Sequence, residues 1–213
     1  MTFTTINAQP QPSSIIGVTP TVAPLVRDTD GKPVREYVSY HIVPVPGGAG
    51  GGGLTLGPNR RDPKACPLSV VQSLREASLG RPIFFGSVPH APGNRVVRTS
   101  TDYHITFNST NPPIICKSSS FWKLTELNAH ARGYFIDSVS ILTTELQYLF
   151  KIEFAGRIGR ESVYKLSYCP TVCKTCPKVH CMDVGAPIDH FADGLRRLKL
   201  PAASPLIVRF KKA

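Results

Sequence analysis

Short apolar runs broken by glycine and proline dominate this chain, and almost none of them continues at helical spacing. The runs are "YVSYHIVPV", "GGLTL", "PIFF", "DYHITF", "FWKL", "YLFKIEF", "YKLSYC" and "PLIVRF". Several alternate apolar with polar residues, and a period of two places every second side chain on one face of a strand. Helical spacing is best approached in "SLREASLG" (73–80) and "TTELQYLF" (143–150), both short. The expectation is therefore an all-β protein. The strand runs fall into three loosely similar stretches of about 55 to 60 residues. About a dozen strands at such spacing suit a barrel or trefoil, because a parallel sheet would require helical crossovers that the pattern lacks.

Composition sharpens this picture. With 213 residues, 41% apolar and 18% charged, the chain can bury a full core as a single domain. No apolar stretch approaches the roughly 20 residues of a membrane helix. Twenty prolines and 17 glycines fit many turns. Residues 1–23 read as a flexible leader and 24–213 as the folded unit, since the leader is uncharged, rich in proline and too poor in apolar surface to offset its ordering entropy. The longest apolar block there, "IIGV", is too short for a signal peptide, so either a signal was removed upstream or the start shown is not the native one. The net charge is +11, but the basic residues are scattered and no RNA- or DNA-binding pattern accompanies them. A solvated surface is the reading, with an acidic partner surface as the alternative and no nucleic-acid or membrane partner.

The densest chemistry is "CPTVCKTCPKVHC" (169–181), four of the six cysteines with His180 among them. A zinc site would want two knuckles separated by a longer insert, and a redox C-x-x-C would want a helix N-terminus that Pro170 and Pro177 deny. Disulfides are favoured over both, leaving Cys66 and Cys116 to pair with each other. Such bonds imply a secreted or vacuolar setting. "NST" at Asn108 is a glycosylation sequon. The glycine run "PGGAGGGGLTLGP" (46–58) lacks the Lys-Ser/Thr of a phosphate loop and reads as a hairpin or bulge. Trp122, the single tryptophan, is expected in the core.

Taken together, "VRDTDGKPV" (26–34), "YHIVPVPGGAGGGGLTL" (40–56), "CPLSVVQS" (66–73), "STDYHITF" (100–107), "FKIE" (150–153), "YKLSYCPTVCKTC" (164–176) and "DVG" (183–185) make the chain resemble the soybean-trypsin-inhibitor type of Kunitz proteins, in their miraculin-like branch from plants. The resemblance implies a disulfide-stapled β-trefoil of about twelve strands with pseudo-threefold symmetry, a monomer without a cofactor or metal. It also implies pairing of Cys66 with Cys116, Cys169 with Cys181, and Cys173 with Cys176.

The same resemblance implies a protease-binding loop between the first two cysteines, here 86–100, "GSVPHAPGNRVVRTS". Such a loop is a substrate already shaped for the active site, so binding forgoes most of the ordering cost. Within Pro92, Gly93, Asn94, Arg95 and Val96, Arg95 is the first choice for the primary residue, since an arginine enters a trypsin-like pocket. Asn94 is second, and counting against the shorter soybean loop drifts to Gly93. Inhibitory relatives support the loop with an asparagine; the matching position is Glu36, whose carboxylate accepts but cannot donate, so that support is expected to be degenerate. Two functions follow: a defence protein inhibiting a trypsin-like serine protease, or a non-inhibitory storage or binding protein. No G-x-S-x-G or H-E-x-x-H occurs and the six histidines are dispersed, so an enzyme is not expected.

Overall fold

The computed structural model describes residues 22–47, 50–60, 62–88, 95–108, 116, 120–143, 145–172, 180–188 and 193–213. Among them are thirteen strands and one turn of 3-10 helix: β1 (Tyr40–Pro44), β2 (Leu54–Gly57), β3 (Leu68–Gln72), β4 (Ile83–Ser87), β5 (Tyr103–Phe107), β6 (Phe121–Leu124), β7 (Tyr134–Val139), η1 (Leu146–Tyr148), β8 (Lys151–Ile158), β9 (Glu161–Tyr168), β10 (Met182–Asp183), β11 (Arg196–Arg197), β12 (Lys199–Leu200) and β13 (Ile207–Lys212). Every pairing between them is antiparallel.

Six strands close on themselves. β1 pairs with β13 and β4, β4 with β5, β8 with β9, and β9 with β13. The bridge between Tyr103 and Phe150, which leads into β8, completes the ring. Closure removes free edges, the liability of any β structure. The hairpins β2–β3 and β6–β7, with β11 and β12 laid against β3 and β7, form the cap of a β-trefoil. Between barrel and cap lies one core in which Trp122 packs on Phe107 and Phe150, and Phe85 on Tyr103 and Phe210. Edge-on and tilted ring contacts of this kind add to the area they bury.

Neither helical candidate forms a full helix. In 143–150 only η1 appears, because Phe150 is already drawn into the barrel bridge. The stretch 73–80 has turns only, its carbonyls being taken by a neighbouring segment: the Gly52 amide donates to Ser73 and the Gly53 amide to Ser78. Of the hairpin-or-bulge reading of the glycine run, the positive φ is present at Gly47, Gly50 and Gly51, whereas β1 and β2 do not pair with each other as a hairpin. Gly51, Gly52 and Gly53 instead lie against 73–80, so closely that a Cβ on Gly53 would sit 2.0 Å from the Leu79 carbonyl oxygen.

One end of the barrel is shut by three short extended segments. The Val26 amide donates to the Val97 carbonyl at 2.9 Å, the Val97 amide to Val34 at 2.8 Å, and the Val34 amide to Val26 at 2.9 Å. This is a closed ring of backbone bonds, and all three valines are 0% exposed. Each following residue is an arginine whose amide donates to a tyrosine hydroxyl rising from the barrel: Arg27 to Tyr164, Arg35 to Tyr40, Arg98 to Tyr103. Here the pseudo-threefold symmetry is explicit. Buried hydroxyls need partners, and the plug supplies them.

Candidate functional site

The stretch 86–100 leaves the barrel at the end of β4 and returns through the valine plug. Pro92, Gly93 and Asn94 lie outside the described residues, whereas Arg95 and Val96 lie within them. On the leaving side, Ser87 is fixed opposite Tyr103 by the β4–β5 ladder, and the Val88 amide reaches the Asp102 carbonyl at 3.4 Å. On the returning side, Val96 bridges Arg35 and Val97 belongs to the plug.

Glu36 ties the two sides together. Its carboxylate Oε2 accepts from the Ser87 amide at 3.2 Å and from Ser87 Oγ at 3.0 Å, while its own amide donates to the Arg95 carbonyl at 2.9 Å. The carboxylate cannot donate into the loop, as its chemistry dictates. In the structure the side chain accepts and the backbone donates.

Beside it Tyr37 adopts a left-handed backbone (φ 57°), its amide bonded to the Phe85 carbonyl. Its ring, 46% exposed, tilts against Phe84, and the Arg95 guanidinium sits over it, 5.1 Å from the centroid. Glycine at 86 makes room: a Cβ there would lie 3.1 Å from the Tyr37 hydroxyl oxygen. A cation over an aromatic face gains about 0.5–1 kcal/mol at an exposed position. Arg95 is thus held at both its carbonyl and its guanidinium.

Behind the returning stem lies a buried charge pair. Lys151 Nζ is 3.1 Å from Asp102 Oδ1 and donates to the Ser100 carbonyl (3.1 Å) and to Thr171 Oγ1 (2.9 Å). Asp102 Oδ2 accepts from both the amide and the hydroxyl of Thr171, at 2.9 Å each. Thr171 follows shortly after Cys169, which is bonded to Cys181; Cys66 is bonded to Cys116. These pairs agree with the pairing that the family resemblance implied. Cys173 and Cys176 lie outside the described residues, and His180 is exposed. Asn108 Nδ2 donates to Ser39 Oγ at 2.9 Å, and the other two sequon residues lie outside the described residues.

Opposite Gly86 stands His104, half-buried, with Nδ1 3.2 Å from the Tyr148 carbonyl oxygen. Burial holds its pKa below the ordinary histidine value, outweighing the opposing effect of that hydrogen bond. The unfolded chain therefore binds the proton more readily than the folded one. Stability should be complete above about pH 6.5, the unperturbed value, and decline as pH falls toward the lower folded value. Comparison of urea midpoints at pH 7 and pH 5 should show a smaller difference in His104→Gln than in the parent. An equal difference would assign the acid sensitivity elsewhere.

The barrel is closed, stapled by disulfides, and bonded to both stems of the stretch 86–100. The comparisons with known proteins agree. The Kunitz legume family, described as trypsin and protease inhibitors, matches residues 26–212, and the chain belongs to that family. Miraculin of Synsepalum dulcificum is 37% identical over 194 residues, 88% of this chain and 82% of its own length. Kunitz trypsin inhibitor 5 of Arabidopsis thaliana is 36% identical over 192 residues, covering 88% and 85%. The solved structure of a Kunitz-type cysteine protease inhibitor from potato superposes with a TM-score of 0.70 at 28% identity, over 90% of this chain and 98% of that one.

Proposed function

We propose that this chain is a serine protease inhibitor of plant defence, acting as a secreted or vacuolar monomer that offers the stretch 86–100 to the active site of a trypsin-like enzyme. The supporting observation is the Glu36 clamp, which joins Ser87 to Arg95 across the mouth of the loop. A peptide fixed at both ends has little ordering entropy left to lose when bound, and after cleavage its new ends stay together and can rejoin. Paired cysteines favour an oxidising compartment.

The primary residue is then Gly93 or Asn94 rather than Arg95, so no guanidinium enters the primary pocket, and a trypsin-like target would be held through the clamped main chain with Arg95 beside the pocket. A bond about to be attacked must turn its carbonyl to the oxyanion donors of the protease, and the Arg95 carbonyl is already taken by the Glu36 amide. Titration against trypsin, chymotrypsin and subtilisin is the direct test, with a one-to-one complex and an intact loop after long incubation as the expected result. Rapid digestion of 86–100 by all three would leave the storage or binding role in its place. Arg95→Ala should weaken inhibition only about fivefold, the loss of one exposed cation–π contact. A loss of several orders of magnitude against trypsin would restore Arg95 as the primary residue.

Glu36→Ala should do more. Hydrogen bonds to a charged acceptor contribute about 1.5–3 kcal/mol, so inhibition should weaken at least about tenfold. Glu36→Gln keeps an acceptor and should recover part of the loss. Equal inhibition constants for all three proteins would remove the clamp from the mechanism.

A further inference from the structure

Three valine–arginine pairs, at 26–27, 34–35 and 97–98, converge on the plugged end of the barrel. Val26, Val34 and Val97 face inward in the ring of backbone bonds, and Arg27, Arg35 and Arg98 follow them at its outer surface. Arg27 and Arg35 are exposed and Arg98 is half-exposed. Arg27 Nη1 donates to the Gly31 carbonyl and Arg98 Nη1 to the Ala23 carbonyl, and neither guanidinium takes part in an ion pair among the described residues. Of the acids on the same segments Asp30 is exposed near Arg27, and the other two are turned away. Asp28 is buried and accepts the amides of Asp30 and Lys32, and Glu36 is turned to Ser87. The result is a threefold set of arginines, with a carbonyl holding each of Arg27 and Arg98 in place without an ion pair among the described residues.

We infer that this arginine array is a docking surface for the acidic rim of the target protease. The inference rests on the inhibitory reading of 86–100 above. Continuity carries the assignment: Arg98 stands on the returning stem of that loop, and Arg35 is bridged to Val96 on the same stem. A protease seated on the loop therefore meets the array. Its carboxylates would be drawn in before contact, since clustered charge of one sign raises association rates by about 10- to 1000-fold and loses that effect in salt.

Association rates with anionic and with cationic trypsin, two enzymes of like specificity and opposite net charge, test this at 25 and 300 mM NaCl. The parent should associate about tenfold faster with the anionic enzyme at low salt, and the advantage should vanish at high salt. Arg27→Gln/Arg35→Gln/Arg98→Gln should lose it, with the change falling on association rather than dissociation. Replacing the same three residues by lysine should restore it, which separates charge from the carbonyl contacts and from any loss of folding. Identical salt dependence in the parent and the glutamine variant would overturn the inference.

Should neither trypsin form a complex, the loop reading fails by itself, and equilibrium binding of deca-glutamate at 25 mM NaCl judges the array alone. Binding lost in the glutamine variant supports a docking surface for acidic protein. No binding overturns it, and binding of polygalacturonate in place of polyglutamate overturns it in favour of an acidic glycan.

Discussion

Lys151→Ala is expected to lower the free energy of unfolding by about 3–5 kcal/mol, the usual loss when one partner of a buried ion pair is removed. The side chains of Lys151 and Asp102 are 3% and 2% exposed, so the carboxylate left behind would have no water to replace the ammonium. The ammonium donates to Ser100 and Thr171 and lies 3.1 Å from Asp102 Oδ1. The paired substitution Lys151→Met/Asp102→Asn should recover part of the loss, because the amide still offers Thr171 an acceptor and no charge remains buried. Denaturant unfolding with disulfides intact measures both. A loss under 1 kcal/mol for Lys151→Ala would mean that water reaches the pair. Because Ser100 and Thr171 share the network, the same variant should also speed proteolysis within 86–100.

Removing the bond between Cys66 and Cys116 is expected to have a comparable effect by a different route. The two cysteines are 50 residues apart, and releasing such a loop in the denatured chain is worth about 4 kcal/mol in the chain-entropy account. The bond between Cys169 and Cys181 spans only 12 residues, for which the same account gives about 3 kcal/mol. Cys66→Ala/Cys116→Ala should therefore destabilise more than Cys169→Ala/Cys181→Ala, as read from unfolding midpoints. The reverse order would locate the benefit of the second bond in the native state, where it steadies Thr171 under Asp102 and Lys151.

Strands were legible because their signal is local. Alternation in "DYHITF" and "YKLSY" survives as β5 and β9, with Tyr103 and Tyr164 inward, and Trp122 lies in the core as expected of the single tryptophan. The two described disulfides were legible through the family resemblance, which supplies a pairing that spacing leaves open. What escaped was long-range. The glycine run carried turn chemistry, but its use is close approach to 73–80, a partner no local rule names. Among the described residues thirteen strands appear where about twelve were expected, because strands as short as β11 and β12 have no pattern of their own. Arginines dismissed as scattered converge because the valines before them do. The recurring Val-Arg at 26–27, 34–35 and 97–98 was the available signal, visible once its three copies are set beside the tyrosines of β1, β5 and β9. Tyr37 carried no such mark. Its left-handed backbone and its place beneath Arg95 follow from the turn between the plug and β1.

The ring formed by Val26, Val34 and Val97 draws on main-chain atoms and on packing beneath them, so its integrity is indifferent to what is written between Val88 and Arg95. Recognition and foldedness are therefore separable in this chain. Descendants or engineered derivatives could exchange one bait for another there, altering whom the protein captures, while the barrel went on assembling as before.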